Sequence, residues 1–261
     1  MPEGDTIHRS AARLREVLAG KTVRNFRAPR MVGERAHAGS AIESVEAVGK
    51  HLLVHFDDGL TLQTHMMMSG SWHLYRSGER WQRPLHTARV VIEVDGWVAV
   101  CFLAPVVRTY RSAAPRTPVG HLGVDLCRAD ADVDVAVQRV PSFASPDSEI
   151  ATVLLEQRIA CGIGNVYKSE TLFACRVNPF TRLGDLDETA VRSLFATAAR
   201  LLQANLGSGP RTTVATGGLA VYGRVRRPCL RCCTPIERRS HGQPRRVTYW
   251  CPRCQPEIDR C

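Results

Sequence analysis

The chain has 261 residues, 44% of them hydrophobic, and its 35 lysines and arginines against 25 acids give it a net charge of +10. That length allows one large domain or two ordinary ones, each with its own core, and two are expected. With no secretory signal and no run of about eighteen apolar residues, a soluble cytoplasmic protein is expected rather than an exported or membrane-spanning one. The charge is unevenly spread: from residue 205 onward eleven arginines face three acids, which places +8 of the +10 there. Such a local excess suits a polyanion, nucleic acid first. An acidic membrane surface fits less well, because the stretch is not an amphipathic helix with a broad apolar face. Only three lysines occur, Lys21, Lys50 and Lys168, so each invites an explanation that the thirty-two arginines do not.

The chain opens Met1-Pro2-Glu3-Gly4. Removal of the initiator Met would expose the secondary amine of Pro2 beside the carboxylate of Glu3, a nucleophile next to a proton shuttle. An α-amino group titrates near about 7.7 to 8.0, and the positive end of a following helix would lower that value. The structural alternative is that Pro2 merely opens the helix. Residues 3–19 carry Ile7, Ala11, Leu14 and Leu18 at helical spacing, with Gly20 as the stop. Between residues 22 and 104, apolar segments recur between turn residues: 52–56, 60–64, 72–75, 88–94 and 97–102, with Asp57-Asp58-Gly59 and Asp95-Gly96 as hairpin turns. This spacing predicts a β-sandwich.

Two features sit on these strands. Gly49-Lys50 enters the first of them, where a lysine is ordinarily a surface residue with a buried stem. Met66-Met67-Met68-Ser69-Gly70 ends a strand, where methionines are usually core filler but where Met68 could also wedge into a base stack. Residues 127–146 are acidic, punctuated by Pro and Ser, and are expected as a linker. Helices are predicted over 149–158, 166–175 and 187–206, the last with a capping box from Asp185 to Glu188 and Gly207 at its exit. Between the first two lies Ile159-Ala-Cys-Gly-Ile-Gly-Asn165-Val-Tyr-Lys168, whose glycines allow a tight double turn and whose Asn165 would cap the next helix, leaving backbone N–H groups for a phosphate.

The most specific local pattern is Cys229-x2-Cys232-x18-Cys251-x2-Cys254. Each pair can hold one edge of a tetrahedral Zn²⁺, and four thiolates close its shell, so one structural zinc ion is expected, with Cys233 and Cys261 outside the set. Between the pairs, Gln243-Pro-Arg-Arg-Val-Thr-Tyr-Trp250 is basic and aromatic on an expected hairpin, able to place an arginine on a phosphate.

Taken in order along the chain, Pro2-Glu3, Gly49-Lys50, Met68-Ser69-Gly70, Leu122-Gly-Val-Asp-Leu126, the turn from Gly162 to Tyr167 and the four-cysteine finger resemble the formamidopyrimidine-DNA glycosylase and endonuclease VIII (Fpg/Nei) family of base-excision repair enzymes. The resemblance implies an α+β architecture: an N-terminal helix and β-sandwich (1–126), the linker (127–146), a helix–two-turn–helix domain (147–225) and a zinc finger (226–261), with damaged DNA in the cleft between. It implies a monomer that flips the lesion out of the duplex. Pro2 then forms a Schiff base, Glu3 shuttles protons, Lys50 acts as an acid in the lyase stage, and Arg246 binds the phosphate and assists the second strand cleavage. Asn165 grips the backbone and Met68 fills the void. The enzyme would associate with the nucleoid while acting.

The sequence also departs from the family. Asp5 and Thr6 replace the second Pro-Glu that many members carry, and Ala104-Pro105-Val106-Val107-Arg108 stands where purine-directed members carry an Asp-Pro-Arg-Arg-Phe loop against the orphaned base. The expectation is therefore an endonuclease VIII-like enzyme for oxidised pyrimidines. The alternatives are an 8-oxoguanine-type purine glycosylase and a zinc-ribbon DNA-binding protein without catalysis.

Overall fold

The structure, a computed structural model, describes residues 2–241 and 246–257. Met1, the segment 243–245 of the expected basic hairpin and Cys261 lie outside the described residues. The chain forms two compact units, one of Pro2 with Thr6–His121 and the other of Glu3–Asp5 with Leu122 onward.

In the first unit, helix α1 (Gly4–Leu18) buries the stripe Ile7, Ala11, Leu14 and Leu18 to 1% exposure or less. Eight strands follow: β1 (Asn25–Arg27), β2 (Ile42–Val48), β3 (His51–Phe56), β4 (Leu60–His65), β5 (Ser71–Arg76), β6 (Ala88–Val94), β7 (Trp97–Phe102) and β8 (Val106–Arg111). They form two antiparallel sheets, ordered β1-β6-β7-β5 and β2-β3-β4-β8. Ile42, Val45, Val54, Leu62, Val90, Ile92 and Ala99 belong to one core with the α1 stripe. The five strands expected from the apolar segments are present to within a residue at each end. β1, β2 and β8 are additional. β2 carries Glu43 and Glu46 and β8 carries Arg108 and Arg111, so neither reads as an apolar run.

The second unit begins with β9 (Val124–Asp125), which pairs in parallel with β10 (Ala160–Cys161). Between them, the stretch expected as a linker holds helix α2 (Val133–Phe143), whose N-cap Asp132 accepts bonds from the amides of Asp134 and Val135. Ala136, Val137 and Val140 of α2 join the core of this unit, so local capping and a short apolar face outweigh the acidic, Pro-containing composition. The helix expected over 149–158 is only α3 (Ile150–Val153). Past it the backbone tightens to bonds three residues apart, Leu155 N–H to the Thr152 carbonyl and Glu156 N–H to the Val153 carbonyl, and the Gln157 side chain then donates to the carbonyls of Leu155 and Ile163 and accepts from the Gly162 amide.

Helix α4 (Asn165–Ala174) is buried from Asn165 to Phe173. Helix α5 (Glu188–Gln203) is capped by Asp187, whose carboxylate accepts from the Ala190 amide; Asp185, the expected cap, lies in a preceding 3₁₀ turn. The unit ends in an antiparallel hairpin of β11 (Glu237–His241) and β12 (Arg246–Trp250). Cys229, Ile236 and Cys251 pack beside Phe173 of α4 in a small core of their own. Among the described residues no helix is long and apolar enough to cross a membrane.

Candidate functional site

The Gly162-Ile-Gly164 turn delivers the chain into α4 with its first amides facing inward. Those amides are already occupied by an anion from the chain itself. The carboxylate of Glu3, fully buried, accepts from the backbone N–H groups of Gly164 (3.0 Å), Val166 (2.8 Å) and Tyr167 (3.2 Å). Unpaired donors and the positive end of the helix dipole favour a carboxylate at such a position. Gly164 is required for this approach, since a Cβ there would overlap the Glu3 carboxylate carbon. The expectation of a phosphate on these amides is therefore corrected: the helix start holds Glu3. A second backbone bond, from the Gly4 amide to the Gly162 carbonyl at 2.9 Å, fixes the segment that follows Pro2.

Asn165 is likewise not the N-cap, a place taken by Gly164; it is the first residue of α4. Its side-chain amide donates to the Val247 carbonyl at 2.5 Å and accepts from Lys168 Nζ at 2.6 Å, and it also bonds the Tyr222 hydroxyl. Asn165 therefore reaches the finger strand β12. Arg246, the first residue of β12, is exposed. Glu3, Asn165 and Arg246 thus belong to one unit, and Lys168 lies among them. The sequence reading gave Lys168 no role, although its place among three lysines was a signal.

Two further carboxylates escaped the sequence reading. Glu170 accepts from the amides of Ala220, Val221 and Tyr222 at 2.8 to 2.9 Å and from the Thr213 hydroxyl. Asp5, fully buried, takes the Arg211 guanidinium in two parallel bonds of 2.8 and 2.6 Å, and that guanidinium lies 5.0 Å from the Tyr167 ring centroid. The departure at position 5 thus recruits an arginine.

Cys229, Cys232, Cys251 and Cys254 converge with all four sulfurs within 4.8 Å of one another. The pairs Cys229–Cys254 and Cys232–Cys251 are 3.8 and 3.4 Å apart. A tetrahedron with Zn–S bonds of about 2.3 Å has edges of about 3.8 Å, so the cluster fits a four-thiolate metal site. The amides of Arg231 and Cys254 point at the sulfurs of Cys229 and Cys251, both at 3.4 Å, as donors to bound thiolates do. Cys233 is outside the cluster.

Pro2, Lys50 and Met68 belong to the first unit. Lys50, half-buried, forms with Gly49 the two-residue turn between β2 and β3, where Gly49 takes a left-handed φ of 55°. Beside it stands a polar cluster. Arg108 Nε donates to Gln63 Oε1 at 2.6 Å, which turns Gln63 Nε2 toward His51 Nδ1, also at 2.6 Å. A guanidinium only donates, so His51 accepts on Nδ1. The His51 and His65 rings lie 4.6 Å apart. Burial, then the neighbours His65, Arg108, His121 and Lys50, bring His51 down to about 3; burial, then Lys50 and Arg108, bring His65 to about 4. Both rings are neutral at pH 7.

Met66 is 2% exposed in the core, whereas Met67 and Met68, 50% and 79% exposed, stand at the tip of the β4–β5 loop. The stretch 104–108 is mostly not a loop: Ala104 is buried and β8 begins at Val106.

Residues 1–105 match the family described as the formamidopyrimidine-DNA glycosylase N-terminal domain, and residues 122–216 match its H2TH domain. A probable endonuclease 8 2 of Streptomyces coelicolor is 40% identical over 98% of this chain and 94% of that protein. A Mycolicibacterium smegmatis protein named DNA-(apurinic or apyrimidinic site) lyase Nei2 is 34% identical over 98% of this chain and 99% of its own length. Among solved structures, the Lactococcus lactis formamidopyrimidine-DNA glycosylase bound non-covalently to DNA containing an abasic site superposes with a TM-score of 0.81 at 20% identity, over 98% of this chain and 100% of that one. The α+β architecture, with an N-terminal sandwich and a helical H2TH unit, is accordingly the Fpg-like fold. The chain belongs to the Fpg/Nei family of DNA glycosylase/AP lyases of base-excision repair.

Proposed function

We propose that this protein excises oxidised pyrimidines from DNA and cleaves the strand at the resulting site, as a monomer acting on chromosomal DNA in the cytoplasm. The observation that carries the mechanism is the seating of Glu3 on the start of α4, which fixes a carboxylate one residue from Pro2. With Met1 removed, the Pro2 nitrogen attacks C1′ of the flipped nucleotide; the N–C1′ bond forms as the glycosidic bond breaks and the base leaves with a proton. Glu3 delivers a proton to the sugar ring oxygen, opening the ring to an iminium ion. Loss of a C2′ proton expels the 3′ phosphate, and loss of a C4′ proton then expels the 5′ phosphate. Water releases Pro2 and leaves a one-nucleotide gap.

In this reading Lys50 serves as an acid for the lyase stage, and the neutral imidazoles of His51 and His65 leave it without added cationic repulsion from those rings at pH 7. Arg246 binds a phosphate and assists the second cleavage. Asn165 contributes to backbone grip by anchoring β12 rather than by a free amide. Met68 is the wedge. One zinc ion on Cys229, Cys232, Cys251 and Cys254 holds the finger that carries Arg246 and takes no part in the chemistry. The division into 1–126, 127–146, 147–225 and 226–261 is proposed as the functional layout, with 127–146 a helical connection.

Pyrimidine preference is supported by the relatives named endonuclease 8 and by the short passage from β7 into β8, which leaves few residues for a loop against the orphaned base. The test is borohydride trapping of untagged protein on duplexes containing 5-hydroxyuracil, 8-oxoguanine or an abasic site, with peptide mapping. An adduct at Pro2 on the 5-hydroxyuracil duplex is expected. Trapping on 8-oxoguanine in preference would establish the purine-directed alternative, and trapping on none of the three would favour a binder without catalysis.

A further inference from the structure

Helix α4 is polar along much of its length yet buried, so most of its polar groups call for partners within the fold. Ser169 bonds back to the Asn165 carbonyl, and Glu170 holds the 220–222 amides. Lys168 has a different arrangement. Its Nζ, fully buried, donates to Asn165 Oδ1 and Thr248 Oγ1, both at 2.6 Å, and lies 3.5 Å from the Val247 carbonyl. An ammonium offers three donors, and three oxygens from two elements surround it. The Val247 carbonyl also receives the Asn165 amide. Both residues that follow Arg246 in β12 are therefore anchored to α4, while Arg246 itself remains exposed.

We propose that Lys168 is a positioning residue for DNA engagement: it fastens the start of α4 to strand β12 and thereby sets where Arg246 stands. This rests on the reading that Arg246 contacts a DNA phosphate. A buried lysine with no carboxylate in contact among the described residues is costly, and an apolar side chain would pack here without that cost. What the lysine adds is direction, because its short bonds fix two residues of a strand whose neighbour must meet a phosphate. The charged groups that face it are Arg246 on β12, Glu3 ahead of α1 and Glu149 ahead of α3; burial, then Arg246, brings Lys168 down to about 7 against the opposing pull of the two glutamates. Deprotonation removes one of its three donors and loosens its hold on β12. The grip therefore weakens as pH rises through about 7.

The test uses the full-length, metal-loaded protein and a duplex carrying a tetrahydrofuran abasic analogue, with Kd measured from pH 6 to 8.5 for the wild type, Lys168→Met, Arg246→Ala and the double variant. Lys168→Met is expected to weaken binding about tenfold at pH 6.5, the worth of one charge-assisted hydrogen bond. It should also remove the pH step seen in the wild type, and the double variant should bind no more weakly than Arg246→Ala alone. Wild-type affinity and pH profile in Lys168→Met would overturn the proposal. So would a loss that adds in full to that of Arg246→Ala, because Lys168 would then act elsewhere. If Lys168→Met does not fold, Thr248→Val, which removes one of the three oxygens at nearly constant volume, carries the same comparison with an expected loss of about threefold. Arg246→Ala binding as tightly as the wild type would sink the phosphate reading and the proposal with it, a result distinct from an unchanged Lys168→Met beside a weakened Arg246→Ala.

Discussion

At the residue scale, Glu3 decides the geometry of the N-terminal segment. The amides of Gly164, Val166 and Tyr167 and the missing Cβ of Gly164 make its seat. Gly164→Ala pushes a methyl group into the carboxylate. The φ of −121° at Gly164 is open to alanine, so the effect of the substitution is steric rather than conformational. Displacing Glu3 by about 1 Å also displaces its neighbour Pro2, and a misplacement of that size costs about 10²-fold in rate. Gly164→Ala should accordingly slow single-turnover trapping on an abasic site by about that factor while retaining binding to an abasic-analogue duplex. Trapping at the wild-type rate would show that the seat does not govern the nucleophile.

At the element scale, α4 is the hub of its unit. Its N-terminus holds Glu3, Lys168 and Asn165 hold β12, Glu170 holds the 220–222 segment, and Phe173 packs with the cysteine finger. β12 in turn leads directly into Cys251, so the four-cysteine cluster and the helix hold opposite ends of one strand. Stripping the metal with a strong chelator should abolish ordered β11–β12 amide signals and weaken DNA binding about as much as Arg246→Ala, while the amide protection of β3, β4, β6 and β7 persists. Loss of protection in those strands would refute the independence of the sandwich core.

This hub also marks where sequence reading succeeded and stopped. α1, five strands and the cysteine finger were legible because each repeats a local rule: a 3.6-residue stripe, apolar runs between turns, or paired cysteines. β2 and β8 were not, because their glutamates and arginines break the apolar pattern while pairing is set by neighbouring strands. The Gly162–Tyr167 turn was recognised as an anion-holding helix start, but the anion comes from residue 3, 161 positions away from Gly164. Lys168, Glu170 and the Asp5–Arg211 pair have the same cause: apart from Asn165 beside Lys168, the partners named here lie 43 to 206 residues distant. Their functions depend on tertiary contacts that no local spacing encodes.

At the scale of the whole molecule, the excess charge has a direction along the chain, with +8 of +10 after residue 205. For binding driven by phosphate neutralisation, log Kd rises linearly with log salt, with a slope of about 0.9 per phosphate contacted. A steep slope is expected, and Arg246→Ala should reduce it by about one contact. A flat response in the wild type would contradict a polyanion role for the arginine-rich C-terminal segment.

The Glu3 seat has one more consequence, for molecules whose Pro2 nitrogen is acylated, whether by a retained Met1 or by a fused tag. The seat is built from a side chain and the amides of α4, so it does not require a free amine. With Pro2 as the nucleophile, as proposed above, such a molecule would assemble the same helix start and finger strand and lack only the free amine. It would occupy a lesion without opening it, shielding the damage from its processed siblings. In a cell, the ratio of trimmed to untrimmed copies would then set how much of the bound population repairs and how much merely stands guard.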